Sequence, residues 1–379
     1  MTNVNIDSIN TVSFSGELLL KMKKENQIPK EALDALRARA EEHLRAKPFA
    51  VTDRNARAKT GNPHDYASAG PYWWPNPDTP DGLPYIRRDG EILPGSIEDI
   101  TPRLMARRVL ELALAAFFLD SEEYGRAAEN AIYVWHLAPD TYMNPHAEYA
   151  QAIPGICDGR GIGIIDFAYS YQIFDSVAIL EYLGYISDDR VNQIKGWYKE
   201  FTDWLLTSEN ALTEDTEPNN HGTFFDVLIL SCAIFTERES LIKKICTTAY
   251  KRRFKDQIEK DGKMPYELAR TMAFHYSLCN IRGLYLIANM AKMHGYSEFF
   301  EPDGEYGVCL LKEAVDFLYP YMLDNSSFPY PESFNDELFP TIPNLSNMIL
   351  ASMECHFEEY GEKRKKITGV TEYLLRPGM

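Results

Sequence analysis

Ten segments of this 379-residue chain place apolar residues at helical spacing, and strand-like alternation is rare between them. Ser121, Ser187 and Thr271 stand where helix N-caps are wanted, and Gly262 and Gly295 stand where helices should stop. The chain is therefore predicted to be all-α. The spacing predicts helices over residues 30–46, 101–119, 122–138, 160–183, 188–207, 222–236, 238–260, 272–294, 305–322 and 343–359.

Apolar character alternates along these segments. Residues 160–183 and 222–236 are apolar nearly all round, whereas residues 188–207 and 238–260 carry a charged face. A helix that is apolar on every side is buried, and one with a charged face borders solvent. Such pairing of inner and outer helices predicts an (α/α) toroid, an incomplete barrel. An ordinary helical solenoid is the alternative, and it is disfavoured because no repeat of fixed length is present.

No linker divides the chain, which is 45% hydrophobic and long enough to bury a substantial core. The Pro/Gly-rich stretch over residues 61–95 contains several Tyr and Trp residues and ordered turn signals. These features favour a structured functional loop over a flexible tether. We therefore predict one catalytic domain over residues 1–379, with a long aromatic loop over its cleft.

Two segments gather side chains suited to one kind of chemistry. Residues 219–223 read Asn-Asn-His-Gly-Thr, and residues 270–276 begin with Arg270 and end with Tyr276. An amide, an imidazole, a guanidinium and a phenol are thus available, without the thiol pair or carboxylate cluster that a metal site needs. We expect neither a metal nor another cofactor.

This set suits removal of a proton next to a carboxylate. The C5 proton of a uronic acid is weakly acidic while the C6 carboxylate keeps its charge. Asn220, His221 and Arg270 could neutralise that charge, most strongly on the dianionic enolate of the transition state. Tyr276 could take the C5 proton and pass one to the departing O4, if a cation such as Arg270 lowers its pKa. Each residue also has a structural alternative, as helix cap, ion-pair partner of Glu267 or core aromatic.

Helix geometry predicts where Arg270 and His221 lie relative to the helices. On a continuous helix, residues six apart diverge by about 120°, so Arg270 and Tyr276 could hardly meet at one carboxylate. We therefore expect Arg270 to precede the helix, with Thr271 as its N-cap. His221 is expected just before an apolar helix, where the helix dipole would attract a carboxylate and disfavour imidazolium.

Two more segments carry a family resemblance. Residues 64–77 read HDYASAGPYWWPNP and residues 81–90 read DGLPYIRRDG, and a second block comprises residues 143–146, 151–155 and 159–166. With the two segments above, these ordered motifs resemble the alginate lyase superfamily. Their spacing looks closest to polysaccharide lyase family 38, whose members act on glucuronan and alginate-type polyuronates.

The resemblance implies an (α/α) toroid and a cleft with residues 64–90 on one wall. It also implies that Asn220, His221 and Arg270 neutralise the carboxylate while Tyr276 acts as base and acid. The remaining candidate substrate contacts are aromatic, amide and cationic side chains of the four motifs. They are His64, Tyr66, Tyr72, Trp73, Trp74, Arg87, Arg88, His146, Gln151, Arg160, Asn219 and His275.

The formal charge of −17 excludes nucleic acid as a natural partner. Basic residues nevertheless gather in or beside the aromatic loop, which predicts a basic cleft on an acidic body, although solvated surface charges are the alternative. They are Arg54, Arg57, Lys59, Arg87 and Arg88. The expected partner is an anionic polysaccharide or oligosaccharide, with no membrane partner and the oligomeric state left open. No signal peptide stands in this numbering, so the expected location is cytoplasmic, or periplasmic or secreted if a leader was removed.

The leading hypothesis is a polysaccharide lyase that cleaves β-1,4-linked polyglucuronate or polymannuronate, in which one residue can reach both the C5 proton and O4. For guluronate the two groups are anti, and His221 would have to act as base with Tyr276 as acid. An (α/α)-barrel glycoside hydrolase is a second class and would need two facing carboxylic acids from Asp158, Asp166 and Glu217. A non-catalytic polyuronate-binding protein is the third.

Overall fold

The structure is a computed structural model that describes residues 8–26, 28–96, 101–332 and 342–366. The predicted single domain over residues 1–379 includes residues that lie outside the described ranges, so it stays a prediction. The helices, numbered along the chain, are α1 Gly16–Lys24, α2 Lys30–Arg45, α3 Thr101–Leu119, α4 Glu122–His136, α5 Tyr171–Tyr182, α6 Asp188–Thr207, α7 Glu209–Asp215, α8 Asn220–Phe235, α9 Glu239–Ala249, α10 Pro265–Leu268, α11 Ala273–Met293, α12 Leu310–Leu323, α13 Ile342–Glu354 and α14 Glu359–Arg364.

Inner and outer helices alternate. Helices α5, α8 and α11 are buried on nearly every side, whereas α6 and α9 keep an exposed charged face. Helix α3 packs against α2, α4 and α5, and α8 packs against α9 and α11. The apolar inner helices form the core because burying their whole surface removes the most apolar area from water. The predicted all-α (α/α) toroid is confirmed.

The helix predicted over residues 305–322 begins only at Leu310, and the one predicted over residues 343–359 ends at Glu354. Two other predicted helices change type along their length. Residues 160–183 begin with a 3₁₀ segment, Gly161–Phe167, before α5 starts. A Cβ at Gly161 would lie 2.5 Å from the carbonyl oxygen of Asn210, and one at Gly163 would lie 2.5 Å from backbone atoms of Ala150. The backbone near Asn210 and Ala150 packs so closely against these glycines that the segment stays in the tighter 3₁₀ conformation. Residues 238–260 end their α-helix at Ala249 and continue as one π-helical turn, Tyr250–Lys255.

Four short strands bring the sequence motifs together. Strand β1, Ala67–Ala69, pairs in parallel with β4, Tyr149–Ala152. Strand β2, Trp73–Trp74, pairs antiparallel with β3, Ile86–Arg87. The aromatic loop is therefore ordered, as predicted, and it is joined to the second motif block. In the described parts of the chain, no helix combines the length and apolarity needed to cross a membrane.

Candidate active site

A cavity of about 450 Å³ lies where the start of α8, the first half of α11, the β2–β3 hairpin and β4 meet. It contains residues from all four motifs, which come from distant parts of the chain. The predicted site residues that line it are Tyr72, Trp73, Arg87, Gln151, Arg160, Asn219, Asn220, His221, Arg270, His275 and Tyr276.

The start of α8 positions Asn219 and His221. Asn219 is the N-cap, and its side-chain oxygen accepts the His221 backbone N–H at 2.9 Å. His221 was predicted to lie just before the helix, but it lies in the first turn of α8. Its Nδ1 lies 2.8 Å from Oε1 of Glu214, which is 1% exposed.

The charge preference of His221 is opposite to the prediction. Burial lowers the pKa of His221, but the adjacent Glu214 carboxylate outweighs burial and raises it overall. A nearby carboxylate stabilises imidazolium more than the partial charge of the helix terminus destabilises it. Because Glu214 occupies Nδ1, the Nε2 atom is left toward the cavity.

Glycine at position 222 is required by the path of the chain. A Cβ there would lie 2.1 Å from the carbonyl oxygen of Glu217 and 2.4 Å from Nη1 of Arg253. The first turn of α8 therefore presses directly on the segment before it. This contact fixes the direction in which His221 and Asn220 leave the backbone.

Asn220 is held by Glu267, which is 1% exposed. Oε1 of Glu267 accepts the Asn220 backbone N–H at 2.5 Å, and the amide Nδ2 lies 3.2 Å from Oε1 and 3.0 Å from Oε2. Burial raises the pKa of Glu267 to about 7, against the lowering effect of these hydrogen bonds. The sequence prediction missed this partnership, because Glu267 was considered only as a partner of Arg270.

Arg270 is paired with Asp89 of the aromatic loop. It lies between α10 and α11, in front of the helix as predicted, and donates from Nη2 and Nε to the two Asp89 oxygens at 3.0 and 3.3 Å. Arg87 donates to the same carboxylate at 2.8 Å. Burial alone would raise the pKa of Asp89, but Arg270 and Arg87 lower it to about 2. The loop is thereby fastened to the start of α11 by an ionised carboxylate.

Thr271 is not the N-cap of α11. Met272 holds that position, and the Thr271 hydroxyl donates to Asp89 at 3.1 Å. Instead, Glu332 accepts the Phe274 backbone N–H at 2.8 Å. A distant carboxylate thus replaces the local cap, since its charge also complements the helix terminus.

Tyr276 is 9% exposed and contacts both a cation and a second phenol. The guanidinium carbon of Arg270 lies 3.9 Å from its ring centroid, and its hydroxyl lies 2.5 Å from that of Tyr72. Burial raises the pKa of Tyr276 well above its ordinary value, Tyr72 adds to this, and Arg270 only partly opposes it. The condition set for Tyr276 as base, a pKa lowered by Arg270, is therefore not met, because desolvation exceeds the effect of one cation.

One wall of the cavity is a hydrogen-bonded network around Asp166. Gln151 donates to Asp166 at 3.2 Å and accepts from Arg160 at 2.9 Å, and the Arg160 guanidinium lies 5.9 Å from the Trp73 ring. Tyr66 is fully buried and donates to Asp166 at 2.8 Å. Tyr66 therefore lies behind the wall, and the prediction that it contacts substrate is wrong.

Two predicted histidine contacts also lie outside the cavity lining. Nδ1 of His64 lies 2.6 Å from the carbonyl oxygen of Tyr142, and the His64 ring stacks on the Tyr142 ring. Nε2 of His146 lies 3.0 Å from Asp65. Both imidazoles join the loop to the second motif block, so their role in this structure is to hold the wall.

Trp74 and Arg88 likewise lie outside the lining. Trp74 donates its indole N–H to the carbonyl oxygen of Glu91 at 2.9 Å, and the Arg88 guanidinium lies 5.0 Å from the Trp74 ring. Neighbouring strand residues point to opposite faces, so Trp73 faces the cavity while Trp74 anchors the hairpin.

The sequence prediction missed a second cationic group in the cavity. The guanidinium carbons of Arg103 and Arg282 lie 4.5 and 4.8 Å from the Tyr169 ring centroid. Arg282 also donates to the Tyr169 hydroxyl at 3.3 Å and the Tyr171 hydroxyl at 2.7 Å. Within the described ranges, neither arginine has a carboxylate at ion-pair distance. An arginine inside an otherwise apolar helix was the available sequence signal, since a buried charge needs a partner.

His275 lies beside this group and is held neutral. Burial, together with the charges of Arg103 and Arg270, lowers its pKa to about 4. Its Nε2 lies 3.5 Å from the Cys279 sulfur. His275 is therefore suited to hydrogen bonding without adding charge to the cavity.

The cavity lining is cationic although the chain carries a net charge of −17. Its carboxylates are Asp166 and Glu217, and its cations are Arg87, Arg103, Arg160, Arg270 and Arg282. Charges in a cleft with low-dielectric walls attract ligands of opposite sign. Among the residues that the structure describes, no group of three or more His, Cys, Asp or Glu is placed to hold a metal ion.

The carboxylates that a hydrolase would need are not presented as a pair. Asp158 is outside the lining and pairs with Lys59 at 2.8 Å. Both oxygens of Asp166 accept hydrogen bonds from the wall network. Glu217 lines the cavity and accepts from Asn219 at 3.2 Å. The arrangement lacks the free acid and base across a cleft that glycoside hydrolysis requires.

The fold and the motifs match known proteins. The family model described as alginate lyase matches residues 50–328. The chain is similar to the crystal structure of an alginate lyase from Bacteroides ovatus, with 31% identity, a TM-score of 0.89, and 97% of this chain and 99% of that one covered. Alginate lyase A1-III from Sphingomonas species A1 is similar in fold, with 12% identity, a TM-score of 0.59, and 98% and 95% covered. A comparison with curated proteins returned no significant match.

Proposed function

This chain belongs to the alginate lyase family of polysaccharide lyases, and within it we propose cleavage of a β-1,4-linked polyuronate, polyglucuronate or polymannuronate, by β-elimination. The observation that carries the proposal is the meeting of Tyr276 with Arg270, Asn220 and His221 in one cationic cavity. The motif spacing supports a position close to polysaccharide lyase family 38.

In the proposed reaction, Asn220, His221 and Arg270 receive the C6 carboxylate of the sugar whose C5 proton is removed. Glu214 holds Nδ1 of His221, so Nε2 can donate to the carboxylate. Asp89 holds Nε and Nη2 of Arg270, so Nη1 can donate as well. Donors fixed in advance stabilise the enolate without reorganisation during the reaction.

Tyr276 serves as base and then as acid. Its hydroxyl is neutral in the free site, so the phenolate must be stabilised when it forms. Arg270 supplies positive charge at the ring, and the Tyr72 hydroxyl can donate to the phenolate oxygen. The proton from C5 then passes to O4 as the glycosidic bond breaks, which leaves an unsaturated sugar and a new chain end.

Tyr72→Phe should lower kcat by about tenfold, because one hydrogen bond to the developing phenolate is worth about 1.5 kcal/mol. The ring and its place in the cavity wall are kept, so KM should change little. Initial rates of double-bond formation measure this effect. A change in KM alone would mean that the Tyr72 hydroxyl contacts the sugar instead of Tyr276.

The environment of His221 supports substrates in which the C5 proton and O4 are on the same side of the ring. A histidine that holds its proton tightly is a better donor to a carboxylate than an acceptor of the C5 proton. Guluronate would need His221 as base, so we propose glucuronate or mannuronate ahead of guluronate.

Arg103 and Arg282 are proposed to bind a second carboxylate of the same polymer. Arg282 lies six residues after Tyr276 on α11, a rise of about 9 Å, so this group serves a sugar next to the reacting one. Both guanidinium groups are half-buried, and such a cation without a carboxylate partner gains most when an anion binds it.

Arg103→Gln should raise KM by about tenfold for oligouronates that reach the second carboxylate position, with kcat nearly unchanged. Oligomers too short to reach it should be unaffected. Arg88→Gln is the matched control, because it removes the same charge outside the cavity. Equal effects of the two variants on every oligomer length would contradict a local site at Arg103.

The proposed function is tested by ultraviolet absorbance of the conjugated double bond, measured with polyglucuronate, polymannuronate and polyguluronate. The expected result is absorbance that rises with one of the first two polymers. New reducing ends without absorbance would indicate hydrolysis, and binding without new ends would indicate a binding protein. Either outcome would overturn the proposal.

A further inference from the structure

The side-chain amide of Asn220 has a donor end, the NH₂ group, and an acceptor end, the carbonyl oxygen. One end contacts Glu267, so only the other end can face the cavity. Its Nδ2 lies against both oxygens of Glu267, and among the described residues its Oδ1 has no hydrogen-bond partner. In this orientation the carbonyl end is the one left for a ligand. A carbonyl oxygen repels a substrate carboxylate, whereas the role proposed for Asn220 requires a donor.

A half turn of the amide would exchange its two ends. Oδ1 would then lie about 3 Å from Oε2 of Glu267, where Nδ2 lies now. Two bare oxygen acceptors cannot share that distance without a proton between them. The half-turned amide is therefore compatible only with a protonated Glu267.

The surroundings of Glu267 allow both states. It is on α10 and 1% exposed. The titratable and charged groups that act on it are His221 on α8, Arg270 on the turn before α11, and Cys279 on α11. The two cations favour the carboxylate, and burial favours the acid.

We infer that Glu267 is a positioning residue that sets the Asn220 amide: as a neutral acid it donates its proton to Oδ1 and turns the NH₂ group toward the substrate. As a carboxylate it binds the NH₂ group itself and leaves the carbonyl oxygen facing the substrate. The backbone N–H of Asn220 holds Oε1 in both states, so the exchange needs no movement of α8 or α10. This inference rests on the proposed carboxylate-binding role of Asn220.

The exchange falls within the physiological pH range. Burial raises the pKa of Glu267 to about 7. Below that pH the acid is the main form and Asn220 presents its donor. Above it the carboxylate dominates and the donor is withdrawn. A bound uronate should itself favour the neutral acid, since it adds negative charge nearby.

Glu267→Gln tests the inference because glutamine copies the neutral acid. Its carbonyl can accept the Asn220 backbone N–H, and its amide can donate to Oδ1 at every pH. The ratio of kcat/KM of this variant to that of wild type should rise by up to tenfold per pH unit above about pH 7, since kcat/KM reports the free enzyme. The ratio removes contributions from titrating groups that are common to both proteins and do not interact with Glu267.

Glu181→Gln is the matched control, because burial also raises the pKa of Glu181 but it does not line the cavity. Its ratio to wild type should stay constant with pH. A Glu267→Gln ratio that is equally constant would overturn the inference, and so would a variant that folds but is inactive at every pH.

Binding separates this inference from the proposed function, because measuring affinity requires no turnover. Tyr276→Phe, in which turnover should be slowed by roughly 10²-fold or more, can be titrated calorimetrically with an oligoglucuronate between pH 6 and pH 9. With Glu267 intact, affinity should fall by several-fold above about pH 7, and adding Glu267→Gln should remove much of that fall. Affinity that does not change with pH would overturn the positioning role, even if the enzyme proves to be a lyase. A fall that Glu267 controls would support the role, even if no polymer is cleaved.

Discussion

Replacing Tyr276 with phenylalanine should lower kcat by roughly 10²-fold or more and change substrate affinity little. The variant keeps the ring that packs against Arg270 at 3.9 Å and deletes the hydroxyl that faces Tyr72. Base and acid are one group in the proposed reaction, so a single deletion removes both proton transfers. The rate of double-bond formation at saturating polymer measures kcat.

Tyr285→Phe provides a matched control for this variant. Tyr285 is on the same helix and is also buried, but its hydroxyl faces His356 and lies outside the cavity lining. Its loss should leave the kinetics unchanged, whatever it does to thermal stability. Near wild-type turnover by Tyr276→Phe would mean that another group carries the proton.

The helices were predictable because their signals are local. Apolar spacing located α8 and α11 within a few residues, and the charged faces of α6 and α9 identified them as outer helices. Apolar helical spacing also covers residues 161–167, but a neighbouring segment packs closely against Gly161, and these residues form a 3₁₀ segment instead of an α-helix. Sequence spacing contains no information about an approach of this kind.

The sequence was sufficient to predict which residues form the candidate site, but not which residues they pair with. Motifs placed Asn220, His221 and Arg270 with Tyr276, and the cavity contains all four. The partners of Arg270 and Tyr276 are far away in sequence: Asp89 is 181 positions from Arg270, and Tyr72 is 204 positions from Tyr276. Contacts at that separation arise from the packing of the loop on α11, which no local pattern encodes.

The direction of individual side chains was the least predictable property. Tyr66 and Tyr72 both belong to the aromatic loop, yet Tyr66 is fully buried and Tyr72 reaches the cavity. Tyr66 precedes β1, and its hydroxyl donates to the buried Asp166, a partner 100 residues away that no local pattern indicates. Burial likewise raised the Tyr276 pKa in spite of Arg270, because desolvation depends on the whole enclosure.

Arg270→Ala should lower kcat by about 10²- to 10³-fold, with a smaller change in KM, by analogy with the loss of one oxyanion donor. In the proposed reaction Arg270 acts on the enolate dianion more strongly than on the ground-state carboxylate, and its guanidinium also lies 3.9 Å from the Tyr276 ring. Arg270→Lys should recover only part of this loss, since a single ammonium cannot bind Asp89 with two donors and still reach the substrate. Kinetics over a range of polymer concentrations separates kcat from KM.

Loss of Arg270 also releases the aromatic loop, so the two effects must be separated. Asp89→Asn weakens the same contact but keeps the guanidinium beside Tyr276. Its fall in kcat should be at least tenfold smaller than that of Arg270→Ala. If the two variants fall equally, Arg270 acts by holding the loop. If Arg270→Ala changes KM alone, it binds the substrate in its ground state. If Arg270→Ala lowers kcat more than Asp89→Asn does, stabilisation of the enolate is the main role of Arg270. Only an interaction that strengthens in the transition state changes kcat without an equal change in KM.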